Sequence, residues 1–214
     1  SGPKTPPLKG MLTVIRDKNL QIFNASIGIF QASMYAMLAN IAAFCREAIG
    51  ADPTISATCL SIAQTASALG RLSWGAISDL LFAAKRKPVL LIIGTLGTSS
   101  LLGMTLASPN WHFYIILALA FPVGLATAGY VGVTQTVCVE TSDKKFTATA
   151  VGTNRIFTSA GAGVGLPFFG WIVDHFGYSI AWLALAILFA SGTLILTLYF
   201  REQPEQTPVI DKYK

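Results

Sequence analysis

The residue in this sequence best suited to chemistry is Arg155, the one charge in the stretch "VGTNRIFTSAGAGVGLPFFG" (151–170). A guanidinium presents a planar fork of donors that matches carboxylates and other oxyanions, so an arginine inside an apolar segment points to an anionic ligand or a carboxylate partner. Around it the sequence supplies neutral polar side chains. Asn24, Gly28, Gln31 and Tyr35 follow one another at spacings of four, three and four, and Thr127, Tyr130 and Thr134 at three and four, which puts each set on one helix face. Gln64 is a further polar residue in an apolar run. No nucleophile stands beside a base, no phosphate loop occurs, and His112 and His175 fall in separate loops. These residues predict binding without catalysis: no enzyme, no cofactor and no metal. Cys45, Cys59 and Cys138 share no metal-ligand spacing and read as packing residues rather than as a disulfide or zinc set.

The elements that must position these groups are membrane helices. Hydrophobic residues make up 53% of the 214, and charged residues only 12%, about half the share of a soluble domain. No Asp, Glu, Lys or Arg occurs in 19–45, 53–70, 88–139, 156–173 or 176–200. Each run reaches or approaches the roughly 20 residues that cross a bilayer, and the third is long enough for two crossings. The expected spans are 19–45, 54–83, 88–107, 112–139, 146–173 and 178–200: an all-α integral membrane fold of six transmembrane helices. Short alternating strands, the mark of a membrane β-barrel, are missing. Residues 1–18 form a basic, proline-rich linker, 19–200 the transmembrane domain and 201–214 a tail.

Lysine and arginine mark the cytoplasmic face. Twelve of the fifteen lie on one side: Lys4, Lys9, Arg16 and Lys18; Lys85, Arg86 and Lys87; Lys144 and Lys145; Arg201, Lys212 and Lys214. Both termini are therefore expected in the cytoplasm, with the plasma (inner) membrane as the setting. The net charge of +5 sits in short loops beside spans, which argues for lipid contact and against nucleic acid.

Shifting the sequence by 95 residues lays "GRLSWGAISD" (70–79) on "GLPFFGWIVD" (165–174). Gly70 meets Gly165, Gly75 meets Gly170, Ile77 meets Ile172 and Asp79 meets Asp174. The two segments run in opposite directions through the membrane, so the expected architecture is two inverted three-helix repeats. Small residues at helix interfaces would produce some of the same coincidences. Counted from Phe146, Arg155 lies roughly 14 Å into a core about 30 Å thick, with Gln31, Gln64 and Tyr130 at similar depth. A charge there costs several kcal/mol unless it faces a partner or a wet cavity. Arg155 has no repeat counterpart, since Leu60 takes its place. Two roles stay open: contact with an anionic substrate, or a structural or gating pair with Glu140. Gly161 and Gly165, at GxxxG spacing, and Pro167 predict tight packing and bending of the fifth span.

"GRLSWGAISDLLFAAKRKP" (70–88) resembles the loop between helices eight and nine of major facilitator superfamily transporters, and the 137–177 stretch is similar to that family's tenth loop and eleventh helix. The proline-rich start resembles the linker between its two six-helix halves. Leu80 stands where the family has arginine, and Ala83 or Ala84 where it has glycine. The resemblance implies the C-terminal half of a secondary transporter working by alternating access. Its partners would be an N-terminal half and a coupled proton or ion, and Asp79 would meet a helix end or a charge in that other half. Gly70, Arg71, Gly75, Asp79, Lys85, Arg86, Lys87 and Glu140 would form the gating loop, with Arg71, Gly75 and Asp79 on one helix face and Gly75 admitting another backbone. The spans bearing Asn24, Gln31, Tyr35, Gln64, Tyr130, Thr134 and Arg155 would line the cavity. With Arg155, this predicts transport of a small organic anion such as a carboxylate. The rivals are a self-standing six-helix scaffold or regulator, and a half-length transporter that dimerises.

Overall fold

The computed structural model describes residues 14–108, 110–142 and 145–201, all of its regular structure being helical. Lys4, Lys9, Lys144, Lys212 and Lys214, with most of the expected linker and tail, lie outside the described residues. The helices are α1 (Lys18–Glu47), α2 (Pro53–Leu81), α3 (Arg86–Thr105), α4 (Phe113–Thr127), α5 (Val131–Thr141), α6 (Thr147–Phe176) and α7 (Tyr178–Tyr199). Their starts follow local chemistry. The Asp17 carboxylate accepts from the N–H groups of Asn19 and Leu20, and Asp52 caps α2 in the same way with Pro53 in its first turn. Between α6 and α7 a single residue turns the chain, Gly177 at φ 80°, a conformation that side chains disfavour.

Among the described residues five spans are long and apolar enough to cross a membrane: α1, α3, α4 with α5 taken together, α6 and α7. α2 is 29 residues long but is not among them. The expected fourth span is two helices, because the chain breaks at 128–130. The break leaves the Leu125 carbonyl to accept from Trp74 Nε1 on α2 at 2.9 Å.

Lipid tails are as apolar as leucine, so helices in a bilayer associate by close packing rather than by hydrophobic burial. Small residues carry that packing here. α1 and α6 run parallel: a Cβ on Gly161 would overlap the Gly28 carbonyl oxygen, and one on Gly165 the Ala32 carbonyl oxygen. α2 lies against α4 and α5, where a Cβ on Gly124 would strike Ala63, one on Gly132 the Arg71 carbonyl, and one on Gly70 would come within 2.7 Å of the Leu125 carbonyl oxygen. Gly94 and Gly97 of α3 take Thr193 and Phe189 of α7. Gly75 departs from expectation. A Cβ there would meet nothing within 4 Å, so among the described residues it is Gly70, not Gly75, that admits another backbone.

Aromatic rings fill the centre. Phe30 stacks on Phe189 at 4.1 Å and meets the edge of Tyr130 at 5.3 Å. At the end where α1 leaves the bundle, Trp182 contacts Phe44 and Phe169. At the end where α1 begins, Phe23 packs on Phe200. There Asn19 bonds both the N–H and the carbonyl of Arg201, and Lys87 Nζ donates to the Phe200 carbonyl, so α7 is tied to α1 and α3.

Candidate substrate and gating site

The basic end of the bundle holds a charge clasp. Arg86 opens α3, is 8% exposed, and sends Nε to Glu140 Oε2 at 3.2 Å and Nη2 to Glu140 Oε1 at 3.0 Å, a two-point grip on the last turn of α5. Its Nη1 pairs with Asp79 in the last turns of α2. One guanidinium thus joins three helices, the geometry for which arginine is suited. Asp79 was expected to meet a helix end or a charge in another half; in this structure it meets Arg86 of its own chain. Glu140 likewise pairs with Arg86, and no hydrogen bond or ion pair joins it to Arg155 among the described residues.

The turn that aims Arg86 is tight. Ala83 and Ala84 take φ of 50° and 61°, the left-handed region that glycine adopts freely and alanine does not. The Ala84 N–H donates to the Ser78 carbonyl, and the Ser78 hydroxyl to the Lys85 carbonyl, which hold the turn closed. Lys85 is exposed, while Lys87 is half-buried on Phe200. Both carboxylates of the clasp are about half exposed, so water screens them, and losing the guanidinium costs less than in a fully buried pair. Arg86→Gln should destabilise the chain by about 1–2 kcal/mol. Glu140→Gln should cost more than Asp79→Asn because Glu140 takes two bonds from Arg86 among the described residues and Asp79 one. Thermal unfolding of the purified chain, with the Arg86→Gln/Glu140→Gln double variant less costly than the sum of the two, is the check.

Deeper in the bundle the polar residues separate into two groups. Asn24 is fully buried and accepts from Asn154 Nδ2 at 2.9 Å across the α1–α6 seam, with Gly28 against the Phe157 backbone one turn on. Asn154 was not foreseen. It lies seven residues before Gly161, on the same face of α6, so the GxxxG register carried one heptad back would have found it. Gln31 accepts from the Tyr130 hydroxyl at 2.8 Å, at the α4–α5 break. Tyr130 is buried, and Tyr35 and Arg71 lie within electrostatic range of its hydroxyl. Thr134 is buried and bonds back to the Val131 carbonyl.

The second group opens outward. Tyr35 is 46% exposed, and Gln64, Arg71 and Arg155 are exposed on the chain's surface. Arg155 follows Asn154 directly, a rotation of roughly 100° that takes it off the packed face. Among the described residues its guanidinium makes no hydrogen bond or ion pair, and its backbone carbonyl accepts from the Thr158 hydroxyl. Eight residues into α6, it stands roughly 12 Å along the helix. Pro167 is exposed and α6 runs through it as a single helix.

A bundle of long apolar helices with a polar opening and a charge clasp at one end defines a multi-pass integral membrane protein. The family model of the Major Facilitator Superfamily matches residues 25–214, and the chain belongs to that superfamily. Its members are membrane transporters and generally not enzymes, and membrane transport is this chain's function. No curated protein sequence matches it significantly.

Proposed function

We propose that the chain is the C-terminal six-helix half of a major facilitator transporter that moves a small organic anion, such as a carboxylate, by alternating access. The observation that carries the substrate class is Arg155: a guanidinium inside an apolar helix, turned away from the packed seam and free of any carboxylate among the described residues. Such a charge is rarely kept in a membrane helix without a partner or a wet cavity, and an oxyanion supplies the partner. Tyr35 and Gln64 are the neutral polar groups of the same cavity wall, with the half-buried Gln31 at its edge and Tyr130, Thr134 and Asn24 packed behind it.

In this reading α2 is the sixth span, and the bundle is two inverted repeats, α1–α3 and α4–α7. The packing supports that: α1 of the first repeat lies on α6 of the second, α4 and α5 of the second lie on α2 of the first, and α3 lies on α7. Gly70 and Gly165, which the 95-residue shift superposes, each sit at one of the two exchanged contacts. The basic end faces the cytoplasm, and the clasp of Asp79, Arg86 and Glu140, with Gly70, Arg71 and Gly75 on α2 and Lys85 and Lys87 beside it, is the gate on that side. The N-terminal half completes the cavity and carries any coupled proton or ion.

One wall does not make a transport pathway. The purified chain reconstituted alone should therefore show no saturable carboxylate uptake, and joining it to the six-helix half encoded upstream should produce it. Uptake by the monomer would overturn the reading, and uptake by a dimer alone would replace it with a half-length transporter.

A further inference from the structure

At the end of the bundle opposite the clasp, a cleft of about 590 Å³ opens between two loops. One wall is the return from α1 to α2. There the N–H groups of Ala48 and Ile49 donate to the Phe44 carbonyl and that of Ala51 to the Cys45 carbonyl, and Gly50 takes φ 75° with open space where a Cβ would stand. The other wall runs from Asn110 to Phe113, where α4 begins, and the Trp111 N–H donates to the Ser108 carbonyl to hold its shape. The volume falls in the range of small-molecule sites, roughly 300–1,000 Å³, and the lining has their composition, apolar and aromatic with a few polar groups. Ile49 and Ile55 supply apolar surface, and Trp111 and Phe113, both half-buried, supply rings. Among the lining residues Asp52 is the carboxylate. Its Oδ1 caps α2, accepting from the N–H groups of Thr54 and Ile55 at 2.7 and 3.1 Å, and its Oδ2 takes no hydrogen bond among the described residues.

Charge decides what such a cleft holds. The N-termini of α2 and α4 both meet it, and each is equivalent to about half a positive charge, which favours an anion. Asp52 offsets the two. Of the other Asp, Glu, Lys and Arg side chains described at this end, Glu47 and Asp174 are acids and Arg46 alone is basic. The balance is negative and favours a cation, and the indole and benzene faces favour an organic one. We propose that the cleft binds a small organic ammonium ion, its charge against Asp52 Oδ2 and its apolar part covered by Trp111 and Phe113. The bound ion touches both loops and so ties the α1–α2 return to the start of α4. None of the lining residues belongs to the carboxylate site built around Arg155, so this inference is independent of the substrate.

A free amine and the ethanolamine headgroup of a lipid offer the same ammonium, and the experiment separates them. The purified full chain in lipid-free detergent is titrated calorimetrically with ethylammonium, phenethylammonium and benzyltrimethylammonium. The titrations are repeated in nanodiscs of one fixed phosphatidylglycerol content, filled out with either a neutral glycolipid or phosphatidylethanolamine. Saturable binding of at least one aromatic ion is expected, with ethylammonium weaker. Asparagine caps a helix as well as aspartate does, so Asp52→Asn should keep the thermal midpoint while weakening the binding at least about tenfold. Trp111→Ala should weaken it too, and Trp111→Phe less. Asp174→Asn, at an acid of the same end that does not line the cleft, should keep the wild-type affinity. Affinity that falls in phosphatidylethanolamine identifies the headgroup as the occupant in the membrane, and unchanged affinity identifies a free amine. No saturable binding of any of the three ions, wild-type affinity in Asp52→Asn, an equal loss in Asp174→Asn, or phenylacetate bound more tightly than phenethylammonium would overturn the proposal.

Discussion

Leucine at Gly161 should dismantle the seam between α1 and α6. The Cβ of any side chain at that position would overlap the carbonyl oxygen of Gly28, and backbone cannot swing aside as a side chain can. The helices would have to separate, taking with them the Gly165–Ala32 contact one turn further and the buried Asn24–Asn154 hydrogen bond two turns back. Overpacking of this kind costs about 3 kcal/mol, and a separated amide pair in lipid adds about 1 kcal/mol. The thermal midpoint of the purified chain should fall by on the order of 10 °C. Alanine at the same position should cost less but still register. Gly163, two residues on, has open space around its missing Cβ, and Gly163→Ala should leave the midpoint of the isolated chain unchanged within about 0.5 kcal/mol. Equal effects at 161 and 163 would show that the seam does not hold the bundle.

Much of the fold was legible because lipid imposes a simple grammar. Charge-free runs located the helices to within a few residues, since no charge enters those runs and each must be about as long as the core is thick. The break at 128–130 was not legible: Pro122, the visible helix breaker, lies inside α4, and the interruption falls six residues later, where Gly124, Gly129 and Gly132 let α2 come close. The same limit applies at the site. Arg155 could be singled out as a misplaced charge, but its orientation depends on Asn154 facing the seam, which is a tertiary fact. Asn24 and Gln31 share a stripe in sequence and yet bond to different helices, Asn24 to α6 and Gln31 to the α4–α5 break. Arg86 was read as one of a basic cluster at the membrane surface; that it grips Glu140 follows from where α5 ends against α3, 54 residues away in sequence. Periodicity reports which face a residue shares, not which neighbour covers that face.

Arg155 carries the assignment of an anionic substrate. If its guanidinium holds a substrate oxyanion, glutamine in its place removes a charge-assisted bidentate contact worth about 1.5–3 kcal/mol, a loss of roughly 10- to 150-fold in affinity. Folding should survive, because the side chain makes no ion pair among the described residues and removing a charge from a membrane helix relieves an insertion cost. Lysine keeps the charge without the planar fork, so Arg155→Lys should fall between the wild type and Arg155→Gln. The direct measurement is calorimetric titration of the full-length transporter with a panel of mono- and dicarboxylates, alongside the thermal midpoint of each variant. Saturable binding of at least one carboxylate is expected, weakened at least about tenfold in Arg155→Gln and less in Arg155→Lys, with midpoints unchanged. Carboxylate affinity in Arg155→Gln equal to the wild type would contradict it.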